Sequence, residues 1–326
     1  MKKITQVLLF AFVAIILAAC GDKESSTANA KEENVVVNIA NLGYSVLNVA
    51  KESGALEEEL AKHNATFDFS LHQAGPPINE GIASKRVDFA VLGEGALVGG
   101  AANNLDTKLV SLFADGKSGL NAIISTKASG VTKVEELKGK KIAVGFGTAH
   151  HVFLLKVLDS AGLTADDVTL VNLTIPDAHP AFQTNQIDAW VTAELYSNIE
   201  AANGAVLIAN GAQFDLYSPI FFVARGEFAK EHPELVEAIL RAIDKTIDFA
   251  KTDNAAYYEL AAKSVNQEVA LVQAAESFEP LNAVPSSEII EQFQESADIL
   301  KSLGFVSTDI DIASLIDTTY IESIRK

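Results

Sequence analysis

The sequence predicts an α/β fold of two lobes, with two parallel-rich sheets flanked by helices and a hinge between the lobes. Three observations lead there. Short apolar segments rich in β-branched residues alternate with Gly or Asx loops and amphipathic helical stretches, the rhythm of βαβ units. Ten such segments are better served by two sheets than by one. Finally, Pro233 to Lys326 keeps helical periodicity with almost no strand signal.

The elements follow in order. Lys2 and Lys3 precede an apolar run from Val7 to Ala19 that closes on Leu17-Ala18-Ala19-Cys20. A basic start, ~7 to 15 apolar residues and small residues before a cut make an export signal, and the run is shorter than the ~20 residues that span a bilayer. Residues 1–19 are therefore expected to be a signal peptide. The four closing residues resemble the lipobox of bacterial lipoproteins, which implies acylation of Cys20, as by palmitate. Residues 20–34 are polar, small and charged, and are expected to be a flexible tether.

Strands are expected at Val35 to Ala40, Thr66 to Leu71, Phe89 to Leu92, Lys108 to Phe113, Asn121 to Ser125, Lys141 to Val144, Val168 to Leu173, Ala189 to Thr192, Val206 to Asn210 and Ile220 to Ala224. Pro233 opens a long helix in its first turn, and Glu288 to Leu303 forms another that Gly304 ends. A helical tail packed on the first lobe makes the chain cross between lobes twice, near Asn121 to Ser125 and near Tyr217 to Ala224. The expected division is 35–120 for the first lobe, 121–222 for the second and 223–326 for the rest of the first.

Composition excludes several function classes. The formal charge is −18, and loss of Lys2 and Lys3 takes it to about −20. No basic face is apparent that neutralises several phosphates, so nucleic acid is not an expected partner. With Cys20 acylated, no thiol is left for a disulfide, a zinc cluster or nucleophilic catalysis. The six histidines, His63, His72, His150, His151, His179 and His232, have no metal-ligand spacing, and neither a nucleophile elbow nor a phosphate-loop lysine motif is present. Neither metal nor cofactor is expected.

The glycine turns carry the positive argument. Lys141 to Val144 is a strand, Gly145 to Gly147 turns the backbone sharply, and Thr148 caps a helix running through Val152, Leu155 and Leu158. The free amides of that first turn, including that of Ala149, make with the Thr148 hydroxyl a site suited to an anionic head group. Gly75 and Pro76 form the matching turn of the first lobe, where Pro costs no helical hydrogen bond. Asn41 and Tyr44 follow the first strand and Glu94 follows the third. These are the carboxyl ends of strands, where open α/β sheets bind ligands.

Gln73-Ala74-Gly75-Pro76-Pro77, Val87-Asp88-Phe89, Gly145 to His151, Ala181-Phe182-Gln183 and Ile187-Asp188-Ala189-Trp190 occur in the order and spacing of the solute-binding proteins of ABC importers. From Val35 to Phe305 the chain resembles that family, most nearly its aliphatic sulfonate binders, beside relatives for taurine, nitrate and the pyrimidine precursor of thiamine. The resemblance implies the type II periplasmic-binding-protein fold, a histidine donor at His151, a cleft wall at Trp190 and an acidic position at Glu194. Ala149 and His150 stand where the family often has serine, and Ala193 and Leu195 replace its usual aromatic and proline. Glu94 and Glu194, if both face the cleft, are suited to pair with an ammonium group, which favours taurine.

The expected function follows. The chain is read as a lipid-anchored, extracytoplasmic monomer that closes on one small organic anion, an aliphatic sulfonate or taurine. It hands that anion to a membrane permease driven by a cytosolic ATPase, and catalyses nothing itself. Binding proteins for nitrate or a thiamine precursor, an enzyme on the same fold and a sensory lipoprotein are the alternatives.

Overall fold

The computed structural model describes residues 34–43, 45–116, 121–275 and 280–326. The expected signal peptide, the expected acylation site Cys20, the expected tether up to residue 33 and Tyr44 lie outside the described residues. No described helix is long and apolar enough to cross a membrane.

Among the described residues, ten strands form two sheets of five. The first contains β1 (Val35–Leu42), β2 (Ala65–His72), β3 (Phe89–Gly93), β4 (Thr107–Ala114) and β10 (Ile220–Arg225) in the order β2-β1-β3-β10-β4. The second contains β5 (Ala122–Ser125), β6 (Lys141–Val144), β7 (Thr169–Asn172), β8 (Ala189–Thr192) and β9 (Val206–Asn210) in the order β7-β6-β8-β5-β9. The two orders are the same plan used twice.

Each sheet is mixed. β1 runs parallel to β2 and β3, and β6 to β7 and β8, whereas β10 is antiparallel to β3 and β4, and β5 to β8 and β9. The reason is connectivity. A chain leaving one sheet at the carboxyl end of a strand enters the other from its facing end, and so runs against its new neighbours. All of β10 pairs within the first sheet, beginning with Ile220 against Gly93 and Ala114. The return crossing therefore precedes Ile220 rather than reaching residue 222.

The two crossings touch. Ser218 N–H donates to the Asp115 carbonyl at 3.2 Å, and a Cβ placed on Gly116, whose φ is +69°, would stand 2.1 Å from the Ser218 carbonyl oxygen. Only glycine fits that crossing.

Strand alternation divides the first sheet between two cores. Val37, Ile39, Phe89, Val91 and Phe222 pack on the helix Pro233–Thr252, whose buried Leu235, Val236, Ile239, Leu240, Ile243 and Ile247 keep helical spacing. On the other face, Ala40, Ala90, Leu92, Phe221 and Val223 meet the helices Gly75–Ala83, Glu94–Ala102 and Ser287–Ser302. That second core also takes Val152 and Leu155 from the helix Ala149–Ser160. The same helix buries Phe153, Leu154, Val157 and Leu158 against the second sheet. It is thus packed on both sides and joins the cores of the two sheets. The helical tail touches more than the first sheet's layers, since Val269–Ala275 also packs beside Glu194–Ala202.

Candidate functional site

The helix Ala149–Ser160 begins at a loop that its sequence shapes closely. Gly147 has φ +69°, and Thr148 takes an extended N-cap conformation. The Thr148 hydroxyl donates to the Gly145 carbonyl at 2.6 Å and accepts from His151 N–H at 3.4 Å. Both capacities are therefore committed within the loop. This corrects the expectation that the hydroxyl meets a ligand, because its proton already has an acceptor.

The amides near it divide in two. Phe146 N–H donates to Asn172 Oδ1 at 3.0 Å and Gly147 N–H to His151 Nδ1 at 3.3 Å. The amides of Thr148, Ala149 and His150 have no partner among the described residues. Three unpaired donors at the positive end of a twelve-residue helix are suited to an anion.

The loops of the first sheet lie against this turn. A Cβ on Gly95 would fall 2.5 Å from the Thr148 carbonyl oxygen, one on Gly93 3.3 Å from Ala149 Cβ, and one on Gly147 3.6 Å from Pro76 Cγ. Gly75 serves a different approach from the one expected. Its missing Cβ would stand 2.4 Å from Ala96 Cβ, so it lets two helices of the first lobe touch.

Asn41 is fully buried and structural. Its amide donates to Asn48 Oδ1 at 2.5 Å and its carbonyl accepts from Ser45 Oγ at 2.8 Å, which fixes the start of the helix Val46–Glu52. His151 is also buried, with its ring stacked 4.9 Å from Phe146 and meeting Phe305 edge-on at 4.4 Å. Since Nδ1 accepts from Gly147, Nε2 carries the proton, and it has no partner. Burial pushes the His151 ring down to about 4, which keeps it neutral at pH 7. His150 is likewise pushed down to about 4 by burial, and its Nδ1 bonds the side chain of buried Asn121.

Glu94 is wholly buried at the first position of its helix. Ser218 Oγ donates to its Oε1 at 3.1 Å, and Lys156 Nζ stands 3.8 Å from its Oε2. Burial raises the Glu94 pKa against the opposing pull of Lys156, Ser296 and Ser218. The carboxylate thus already has a cation from its own chain, which corrects the expectation that it waits for a ligand ammonium. Glu194 opens the helix Glu194–Ala202, and its side chain lies outside the described residues.

Trp190 is not a cleft wall. It is 1% exposed and packs with Phe182, Ile187 and Ala178, its ring 5.6 Å from His179 and 5.4 Å from Tyr196. In a strand covered on both faces the indole falls to the helix layer, not to the cleft side that the resemblance implied. A cavity of about 630 Å³ lies elsewhere, lined by Thr126, Lys127, Phe182, Gln183, Glu200 and Asn203. Because Ser125 pairs with Ala189, it sits at the amino end of β8, opposite the glycine loop.

Asn121, Lys156 and Ser218 were not singled out as site residues by sequence reasoning, and His150 was named only as standing where the family often has serine. Only Lys156 left a signal, as a charge within Val152-Phe153-Leu154-Leu155-Lys156-Val157-Leu158, whose neighbours are apolar on every side.

Comparison with known proteins places the chain. The NMT1/THI5 like family model matches residues 73–256. A Bacillus subtilis (strain 168) protein named as an aliphatic sulfonates-binding protein is 33% identical over 96% of this chain and 95% of its own length. The taurine-binding periplasmic protein of Escherichia coli (strain K12) is 33% identical over 60% of this chain and 58% of its own. The solved alkanesulfonate-binding protein SsuA of Xanthomonas axonopodis pv. citri, bound to MOPS, superposes with a TM-score of 0.79 at 23% identity, covering 87% of this chain and 99% of that one. Its likeness shows the shared periplasmic-binding-protein fold. The chain belongs to the NMT1/THI5-like family.

Proposed function

We propose that this protein is the extracytoplasmic substrate-binding subunit of an ABC importer, closing its two lobes around a small organic anion, an aliphatic sulfonate. The observation that carries this reading is the set of three unpaired amides at Thr148, Ala149 and His150, set against the Gly93-Glu94-Gly95 turn of the other sheet. A ligand there touches both lobes and so favours the closed state, as a binding-driven conformational change requires. Sulfonate fits because its charge is spread over three acceptor oxygens, one for each free donor. The specificity in the name of the Bacillus subtilis relative supports the same class.

The wider account belongs to this proposal. Residues 1–19 direct export, Cys20 carries the lipid, and the monomer delivers its ligand to a permease powered by a cytosolic ATPase. The lobes are residues 35 to the first crossing with the tail after the second, and the stretch between the crossings.

A thermal-shift screen tests the proposal, with alkanesulfonates, taurine, nitrate, phosphonates and thiamine pyrimidine precursors. At a hundredfold excess over Kd a bound ligand stabilises by about 2.7 kcal/mol, so a true ligand raises Tm clearly. An alkanesulfonate that does so, recovered unchanged, is expected. Stabilisation only by nitrate or a pyrimidine, or conversion of the ligand, overturns the reading.

A further inference from the structure

Glu94 and Lys156 set the kind of sulfonate that this site accepts, an inference that rests on the proposed function and sharpens it. Glu94 belongs to the turn after β3 and Lys156 to the helix beneath the glycine loop, so the pair spans the two sheets. The two side chains are 0% and 5% exposed and stand 3.8 Å apart. Glu94 Oε1 takes the Ser218 hydroxyl from the return crossing, while Glu94 Oε2 and Lys156 Nζ have no hydrogen-bond partner.

The turn bearing Glu94 abuts the anion site directly, since Gly93 and Gly95 on either side of it meet Ala149 and Thr148. A sulfonate on the free amides would lie beside the turn that bears this carboxylate, with a two-carbon tail long enough to approach it. For an aminosulfonate that tail ends in an ammonium. Such an ammonium loses most of its hydration on lobe closure, and it recovers that loss only from a carboxylate free to receive it. Here Lys156 Nζ already stands 3.8 Å from Glu94 Oε2, and a second cation beside it meets like-charge repulsion in a medium that screens it weakly.

We propose that Lys156, by occupying Glu94, makes the site select sulfonates with an uncharged organic part and discriminate against aminosulfonates such as taurine. Lys156 acts here as a specificity-determining residue through Glu94.

Titration calorimetry at pH 8 with taurine and propane-1-sulfonate tests this, because the two differ chiefly by ammonium against methyl. The wild-type protein is expected to bind propane-1-sulfonate at least about tenfold more tightly. Lys156→Met, checked for native circular dichroism, is expected to narrow that ratio to about threefold or less, by leaving Glu94 open to the ligand's ammonium. Taurine bound by the wild type as tightly as propane-1-sulfonate overturns the inference and leaves the sulfonate reading standing. A wild-type preference that a folded Lys156→Met keeps in full also overturns it, since an apolar wall then explains the ratio. Should Lys156→Met not fold, the same ratio measured in Lys156→Gln replaces it, and there too a ratio narrowed to about threefold or less supports the inference, whereas a ratio kept in full overturns it. Binding of neither ligand removes the sulfonate reading and this inference with it.

Discussion

The hydroxyl of Thr148 lies 2.6 Å from the carbonyl oxygen of Gly145, and that bond ties the cap of the helix Ala149–Ser160 to the turn that precedes it. In the proposed site the side chain shapes the loop, whereas the backbone amides hold the anion. Thr148→Val is therefore expected to cost about 1 kcal/mol of stability through the lost cap. Sulfonate affinity should fall less than about fivefold, because no bond of ~1.5 to 3 kcal/mol to a charged oxygen is removed. Chemical denaturation and calorimetry on the same samples separate the two effects. A hundredfold loss of affinity at unchanged stability would contradict the assignment.

Gly95 tests closure. A methyl group there would sit 2.5 Å from the Thr148 carbonyl oxygen and 2.7 Å from its carbon, closer than any Cβ tolerates, and the obstacle is backbone of the other lobe. Gly95→Ala is expected to weaken sulfonate binding by about tenfold or more, as a ligand that needs both lobes loses one of them. Small-angle scattering should show that sulfonate no longer compacts the variant. Unchanged compaction and affinity would mean that the turns do not meet in the bound state.

Trp190 is the single tryptophan of the chain, and it reports on the core. Buried among His179, Phe182 and Tyr196, it is expected to keep its emission maximum and its resistance to acrylamide quenching when ligand binds. Trp190→Ala should cost about 3 to 5 kcal/mol. A large ligand-induced shift in emission would return the indole to the cleft.

The buried His151 gives the fold an acid sensitivity. Its folded pKa is held at about 4, against an ordinary value of 6.5, so between these values the unfolded chain binds a proton that the native ring refuses. Stability therefore rises with pH across this window and is lost on acidification from 6.5 toward 4, by about 3 kcal/mol at most. Tm measured from pH 7 to pH 4 should fall less in His151→Phe than in wild type, the carboxylates, Glu94 among them, being common to both. Parallel curves would remove the assignment.

These residues also mark how far the sequence carries the argument. All ten strands were legible, β6, β8 and β9 to the residue, because short β-branched runs between glycine turns have few other solutions. The two-sheet plan followed from their number and the helical tail from its periodicity. The free donors of the glycine loop were legible because they belong to the backbone and depend only on local turns.

Side-chain roles were not legible where a distant partner decides them. Glu94 looked free because Lys156 lies in another lobe, and nothing near Glu94 in the chain announces it. Thr148 suited both a cap and a ligand contact, and the choice rests on where one proton points. Trp190 sits in a strand buried on both faces, so alternation could not say which neighbour it meets.

Amide chemical shifts provide the most direct test of the central claim, that main-chain donors at the start of the helix Ala149–Ser160 hold a sulfonate between the lobes. Titrating propane-1-sulfonate into the isotope-labelled protein should shift the amide protons of Thr148, Ala149 and His150 downfield in a saturable way, with a shared Kd. Saturable binding that leaves those three amides unmoved, with shifts centred on the cavity near Glu200 and Asn203 instead, would contradict it.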